Sequence, residues 1–305
     1  MNIWRINLKS SSINNVNPRQ FCIMNNIVGV GWRISEKTEE SVEWDEYLKT
    51  ASKMYGDKSW KTALNAIKHK MQVDDLIWTR DRQNNYYLGR ITSDWQYQSE
   101  IENLEADVVN TRNCDWVKIG TVESVPGKLI NSFIPARTLQ KVHDNAVKTY
   151  SKFTFNRLKE QKVYKLDNLN TDDIFSLLSS DDCEDLIAMY LQVEKGYYLI
   201  PSSCKSSMMG YEFELKHKTS GQSAVVQVKN GFVNLNADSY NKLDCEVYLF
   251  TTKGNYIGSE KSNIHFISRS DIENFIGKYN KVLPNKIRMW KQQLESTAGN
   301  SLYKK

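Results

Sequence analysis

A chain of 305 residues, 40% hydrophobic and 25% charged, has the composition of a folded globular protein rather than a disordered one, and it is long enough for two domains with separate cores. Its net charge of +5 is mild and permits an anionic partner only where the basic residues cluster. The five cysteines, Cys22, Cys114, Cys183, Cys204 and Cys245, are scattered and never spaced C-x-x-C, which argues against a disulfide framework or a zinc site and for a reducing compartment.

The opening MNIWRINLKS has no sustained apolar stretch and no later run reaches membrane-spanning length, so a cytoplasmic protein with no membrane partner is expected. A first strand is expected in NIWRINL and a second in NNIVGVGW (25–32). SVEWDEYLKTASKMYG places Trp44, Leu48, Ala51 and Tyr55 at helical spacing, and SWKTALNAIKHKM repeats the pattern with Trp60, Ala63, Leu64 and Ile67. DDLIWTRDRQNNYYLGRIT reads as strand, polar turn, strand, and DWVKIGTVESV as a further strand before Pro126-Gly127. A helix from about Thr138 to Leu158 is expected to close the unit. Strands split by a helical pair predict a small curled α+β barrel rather than a parallel sheet.

The polar stretch LKEQKVYKLDNLNTDD (158–173) reads as a linker. The expected division is therefore a first domain at 1–158, a linker at 159–172, a second domain at 173–292 and a tail at 293–305. The second domain opens with two short helices in TDDIFSLLSSDDCEDLIAMYLQVEKG, followed by a strand in YYLIPSS, a hairpin at 210–231 and a strand in CEVYLFTT (245–252). Helices in SDIENFIGKY and NKIRMWKQQLES complete an α/β sheet domain.

The hairpin GYEFELKHKTSGQSAVVQVKNG carries unusual polar chemistry. Alternation puts Glu212 and Glu214 on one face of its first strand, with Tyr211, Phe213 and Leu215 opposite, and Gln227 and Lys229 on one face of its second. Pairing of Glu212 with Gln227 would gather these side chains on one surface, although the loop is too long for its length to fix the register. Glu184 stands at the end of the apolar stripe Ile187, Ala188 and Leu191, aimed at the same sheet. Carboxylates gathered there are costly unless a cation is present, and hard ions such as Mg²⁺ take carboxylates, carbonyls and waters. A half-buried strand with a solvated polar face is the plain alternative, and for Glu184 a capping box with Asp181.

The ordered set CEDLIAMYLQVEKGYYLIPSS, GYEFELK and VVQVKNG resembles the PD-(D/E)XK nuclease superfamily, in particular its Mrr-like restriction endonuclease branch, over residues 173 to 252. The resemblance implies a restriction-endonuclease-like mixed sheet flanked by helices. It matches Glu184 to the helix acid, Glu212 to the metal-binding acid, Gln227 to the acid-or-amide position and Lys229 to the catalytic lysine. Two departures are the Glu at 212 where Asp is usual, with Glu214 as the other candidate ligand, and the amide at 227, which removes an anionic ligand. The implied cofactor is Mg²⁺ or Mn²⁺.

The first half is rich in tryptophan: Trp4, Trp32, Trp44, Trp60, Trp78, Trp95 and Trp116. Its strand-and-turn phrases, GVGW, DDLIWTRDRQNNYYLGRIT, DWVKIGTVESVPGKLINSF and RTLQKV, look like an EVE or PUA-like domain, a small β-barrel whose relatives bind modified bases. That likeness implies a pocket for a flipped-out base, with Trp32 and Trp95 as candidate walls. Arg80, Arg82 and Arg90 flank the first hairpin, and Lys281, Lys286, Arg288 and Lys291 line the last helix; both groups are candidates for phosphate contact. The combined expectation is a modification-dependent DNA endonuclease, dimeric where both strands are cut, or else a nucleic-acid-binding protein on a decayed nuclease fold.

Overall fold

The computed structural model describes residues 1–8, 16–34, 42–56, 60–135, 137–166, 173–205 and 210–302, with the backbone alone for Lys205 and residues 296–302. The chain divides into two compact units, one of residues 1–125 and 129–167, the other of residues 126–128 and 168–305. Residues 167–172 of the expected linker and 303–305 of the expected tail lie outside the described residues. The start of the expected linker belongs to the first unit: Tyr164 is buried, and its hydroxyl donates to the Asp74 carbonyl at 3.0 Å.

To residue 159 the elements are β1 (Ile3–Ile6), α1 (Pro18–Met24), β2 (Ile27–Val30), α2 (Trp44–Tyr55), α3 (Trp60–Asn65) running into a π-helical turn (Ala66–Lys70), β3 (Leu76–Arg80), β4 (Tyr86–Ile91), β5 (Gln96–Tyr97), α4 (Ile101–Ala106), β6 (Asn110–Gly120), α5 (Gly127–Ser132), β7 (Leu139–Val142) and α6 (Asn145–Lys159). The sheet order is β2-β6-β4-β3-β1-β7, with β5 beside β6. β1 and β3 are parallel and the other neighbours antiparallel. The long strand β6 pairs with β2 through Asn110–Asn113 and with β4 through Cys114–Gly120, so one strand carries the sheet round a bend into a curled half-barrel.

The expected single helix from Thr138 to Leu158 is instead β7 followed by α6. Leu139–Val142 pairs antiparallel with β1, and Asp144 starts the helix by accepting from the Val147 N–H at 2.8 Å. Buried indoles in this unit have their N–H groups satisfied: Trp4 by Asp75, Trp78 by Ser151, Trp60 by the Gly56 carbonyl and Trp116 by the Ile27 carbonyl. These tryptophans are core.

The second unit contains α7 (Ser180–Glu194), β8 (Tyr197–Leu199), β9 (Phe213–His217), β10 (Ser223–Lys229), β11 (Leu235–Asn236), β12 (Glu246–Thr251), β13 (Tyr256–Ile257), β14 (Ile264–Phe266), α8 (Arg269–Lys278) and α9 (Asn285–Leu302). Its main sheet has the order β14-β12-β10-β9-β8, and β11 pairs with β13 apart from it. β10, β12 and β14 are parallel, whereas β9 runs antiparallel to both β8 and β10. Central β10 is buried without a break from Ala224 to Val228, as expected of a strand covered on both faces. Both units are therefore mixed α and β, and in the second, helices accompany a mixed sheet. Residue 293 falls within α9, so the expected start of the tail is no break in structure.

α7 packs against β8 and β10, and its first turn settles how Glu184 is used. The capping box is formed by Ser179 and Asp182: the Ser179 hydroxyl accepts from the Asp182 N–H, and the Asp182 carboxylate accepts from the Ser179 N–H. The Asp181–Glu184 box weighed from the sequence does not form, and Glu184 is left for other work. Ser179→Ala is expected to destabilise the second unit by about 1 kcal/mol in urea denaturation; an unchanged midpoint would show that Asp182 alone suffices as cap.

Candidate active site

The adjacent ends of β9 and β10 bring Glu212, Gln227 and Lys229 together. Glu212 Oε1 accepts from Gln227 Nε2 at 2.5 Å and from Lys229 Nζ at 2.9 Å. Strand alternation explains why Gln227 and Lys229 act together, since residues two apart share a face. Gln227 is 5% exposed, which makes its amide a fixed polar group rather than a solvated one. Glu212 Oε2 has no partner among the described residues.

The register here departs from simple alternation. Phe213 lies across from Val226, yet the Glu212 N–H also donates to the Val226 carbonyl, so two residues of one strand face one of the other. As a result Tyr211, expected on the face opposite the glutamates, packs against the apolar cluster that includes Val225 and Leu249 and donates its hydroxyl to Glu214 Oε1 at 2.6 Å. Glu214 is thereby engaged by Tyr211, and it is Glu212 that meets Gln227 and Lys229.

Glu184 on α7 completes the electrostatics. Burial first, then the carboxylates of Glu212, Asp181 and Asp185, push its carboxyl up to about 7, while Lys229 works in the opposite sense. Lys286 neutralises part of the charge of Asp185, so Lys229 is the cation that acts on Glu184 itself. Tyr240 was not anticipated. Its hydroxyl stands 3.1 Å from the Gly210 carbonyl and 3.4 Å from Gln227 Oε1, and it comes from a 3₁₀ turn (Ala237–Tyr240) that carried no sequence signal.

These residues fit a single hard divalent cation in part. A partnerless carboxylate oxygen on Glu212, an amide beside it and the Glu184 carboxyl are oxygen donors of the appropriate type. Among the described residues there is no group of three or more His, Cys, Asp and Glu side chains able to hold a metal. A bound ion would therefore depend on the Gln227 amide oxygen and on water.

The expected nucleic-acid residues fall in both units. Lys286 is 3% exposed and forms ion pairs with Asp182 at 2.7 Å and Asp185 at 3.1 Å, so it is a buried clamp rather than an open phosphate donor. Arg288 donates to the Asn285 side chain, and Arg90 pairs with Asp74 at 2.6 Å. Arg80 lies over the Phe133 ring and Arg82 is exposed in the turn after β3.

Trp95 is 8% exposed, with Trp44 and Tyr47 against its edges and Lys68 4.8 Å from its ring centroid, so its surface is largely used in packing. Trp32 is half-buried and has φ of 69°, a left-handed backbone unusual for a bulky residue. Its loop is held at four successive residues. Asn110 donates to the Gly31 carbonyl, Tyr47 to that of Trp32 and Tyr55 to that of Arg33, while the Ile34 N–H donates to the Tyr97 hydroxyl. The side chain itself packs in part against the hydrophobic core of the first unit.

Residues 4–142 match the model of a family described as a domain of unknown function, DUF8426. The matched segment covers the curled sheet and stops at the end of β7; the hairpin chemistry lies outside it. No curated protein and no solved structure matches the chain. Among the described residues no helix is long and apolar enough to cross a membrane.

Proposed function

We propose that the chain is a divalent-metal-dependent DNA endonuclease whose second unit cuts and whose first unit selects DNA carrying a modified base. The observation that carries the reading is the convergence of Gln227 and Lys229 on one oxygen of Glu212, with Glu184 nearby at a raised carboxyl. The order in which these groups arise also supports it. A helix bearing Glu184 is followed at Gly196-Tyr197 by β8, then by Glu212 leading into β9, and then by Gln227 and Lys229 on β10, as in the Mrr-like branch that the sequence resembles.

Mg²⁺ or Mn²⁺ would be held by Glu212 and Gln227, with Glu184 completing the acidic set, and would stabilise negative charge on the phosphate. Lys229, fixed by Glu212, orients the attacking water. The water oxygen bonds to phosphorus, one P–O ester bond breaks and the departing oxygen leaves as a hydroxyl. A Glu184 carboxyl near neutrality can take up and return the proton. Trp32, half-buried on its braced loop, is the candidate stacking surface for an extruded base in the first unit.

The second reading is a nucleic-acid-binding protein with an inert nuclease fold. It is favoured by the amide at 227 and by the absence, among the described residues, of a three-acid metal cluster. Modified phage DNA and an unmodified control, each incubated with Mg²⁺, Mn²⁺ or chelator, separate the two. Metal-dependent cleavage with a preference for modified DNA is the expected result. Salt-sensitive binding with no cleavage under any metal would replace the endonuclease by the inert fold.

A further inference from the structure

A second concentration of charge lies in the first unit. Arg5 sits in the apolar run of β1 and is 0% exposed. Its Nη1 donates to the Arg137 carbonyl and its Nη2 to Gln140 Oε1 at 2.7 Å, while its buried Nε has no acceptor among the described residues. The Phe133 ring has the Arg5 guanidinium 5.4 Å and the Arg80 guanidinium 5.2 Å from its centroid, so one phenyl ring carries two cations. Arg19, anchored by the Leu8 carbonyl and Asn7 Oδ1, lies close enough to Arg80 and Arg82 to feel their charge. Among the described residues none of these arginines is in an ion pair. Asp81, the nearby acid, is occupied within its own turn by Gln83, Asn85 and Tyr87.

Burial, then the charges of Arg137 and Arg80, push the Arg5 guanidinium down to about 10. A buried guanidinium without a carboxylate, ringed by like charges, is destabilising unless an anion completes it. Its two hydrogen bonds toward β7 account for Arg5 as a strut. They do not account for Arg80 and Arg82, whose side chains form no hydrogen bond among the described residues. The parallel pairing of β1 with β3, and of β1 with the antiparallel β7, places the strand ends bearing Arg5, Arg80 and Arg137 on the same side of the sheet.

We propose that Arg19, Arg80, Arg82 and Arg137 form a phosphate site at this end of the half-barrel, with buried Arg5 adding its charge from beneath, through which the first unit holds the backbone of a nucleic acid. Guanidinium forks suit phosphate oxygens, and several of them along one edge suit a polyanion. The site stands independently of the hairpin chemistry; only the choice of nucleic acid as the source of phosphate rests on the proposed DNA substrate.

The test uses the full chain in chelator with a labelled duplex and anisotropy detection across a salt series. The triple variant Arg80→Gln/Arg82→Gln/Arg137→Gln is compared with wild type and with Lys216→Gln. Removing one arginine–phosphate pair is expected to flatten the slope of log Kd against log salt by about 0.9, so roughly 2–3 for the triple variant. Lys216→Gln, which removes an exposed charge of the second unit outside both sites, should bind as wild type, and because chelator is present the slope does not depend on cleavage. Should the triple variant melt early, Arg82→Gln/Arg137→Gln replaces it, with a slope change of about two-thirds that size. Inorganic phosphate at fixed ionic strength is the second probe. A wild-type thermal shift with phosphate that the variant lacks, together with an unchanged duplex slope, would assign the site to a free phosphate and overturn the nucleic-acid source. No change in either measurement overturns the site.

Discussion

Lys229→Ala is expected to lower Mg²⁺-dependent cleavage of duplex DNA by roughly 10²–10⁴-fold while leaving duplex affinity and thermal stability nearly unchanged. The Lys229 side chain is 39% exposed and its ion pair with Glu212 is half in solvent, so the pair adds little to folding, about 0–1 kcal/mol. What it supplies is a donor fixed in place beside the carboxylate that is to carry the cation. Lys229→Arg keeps the charge but presents a planar fork where a compact ammonium stood, and it should restore little activity. Gel assays of both variants against wild type, with melting curves as the folding control, decide the matter. Cleavage that survives in Lys229→Ala would move the chemistry away from this hairpin altogether.

The core of this site was legible because strand geometry is simple: alternation places Gln227 beside Lys229 whatever the register. The register itself was not legible, since the turn at 218–222 between β9 and β10 is long enough to allow several pairings. The offset at Glu212 and Phe213 carries Tyr211 to the face of Glu214, and no spacing rule predicts it. Tyr240 reaches Gln227 from a short turn beyond the hairpin, a contact made by tertiary packing alone.

Lys286 looked like one basic residue among several on a helix face, yet it is buried against Asp182 and Asp185, because α9 packs in the second unit with that face inward. In the first unit β1 to β4, the second half of β6 and the core role of Trp44 and Trp60 followed from periodicity; β5 and the first half of β6 did not. Nor did β7, because a four-residue strand abutting a helix has too few residues to show its own period. Arg5 left a signal that could have been read: an arginine inside the apolar run IWRI is either misplaced or functional.

Glu184 gives the prediction with a definite sign in pH. Its carboxyl is raised from an ordinary value of 4.5 to about 7 in the folded chain, by burial and then by neighbouring carboxylates. The folded state therefore binds more protons than the unfolded one across that window, and without metal the stability contribution of Glu184 is lost as pH rises from about 4.5 through about 7. Glu184→Gln removes the ionisation, so the variant should gain on wild type in melting temperature above neutrality and show little gain at pH of about 5. A divalent cation supplies positive charge here, and it must displace the proton to do so. The melting-temperature rise on adding Mg²⁺ or Mn²⁺ should thus be larger at pH of about 8 than at about 5, and smaller in Glu184→Gln and Glu212→Gln. A metal-induced rise that is equal at both pH values and unchanged in both variants would place the ion elsewhere. The raised carboxyl would then be a consequence of burial and crowding alone, and the convergence of Gln227 and Lys229 on Glu212 would be a structural lock rather than a catalytic one.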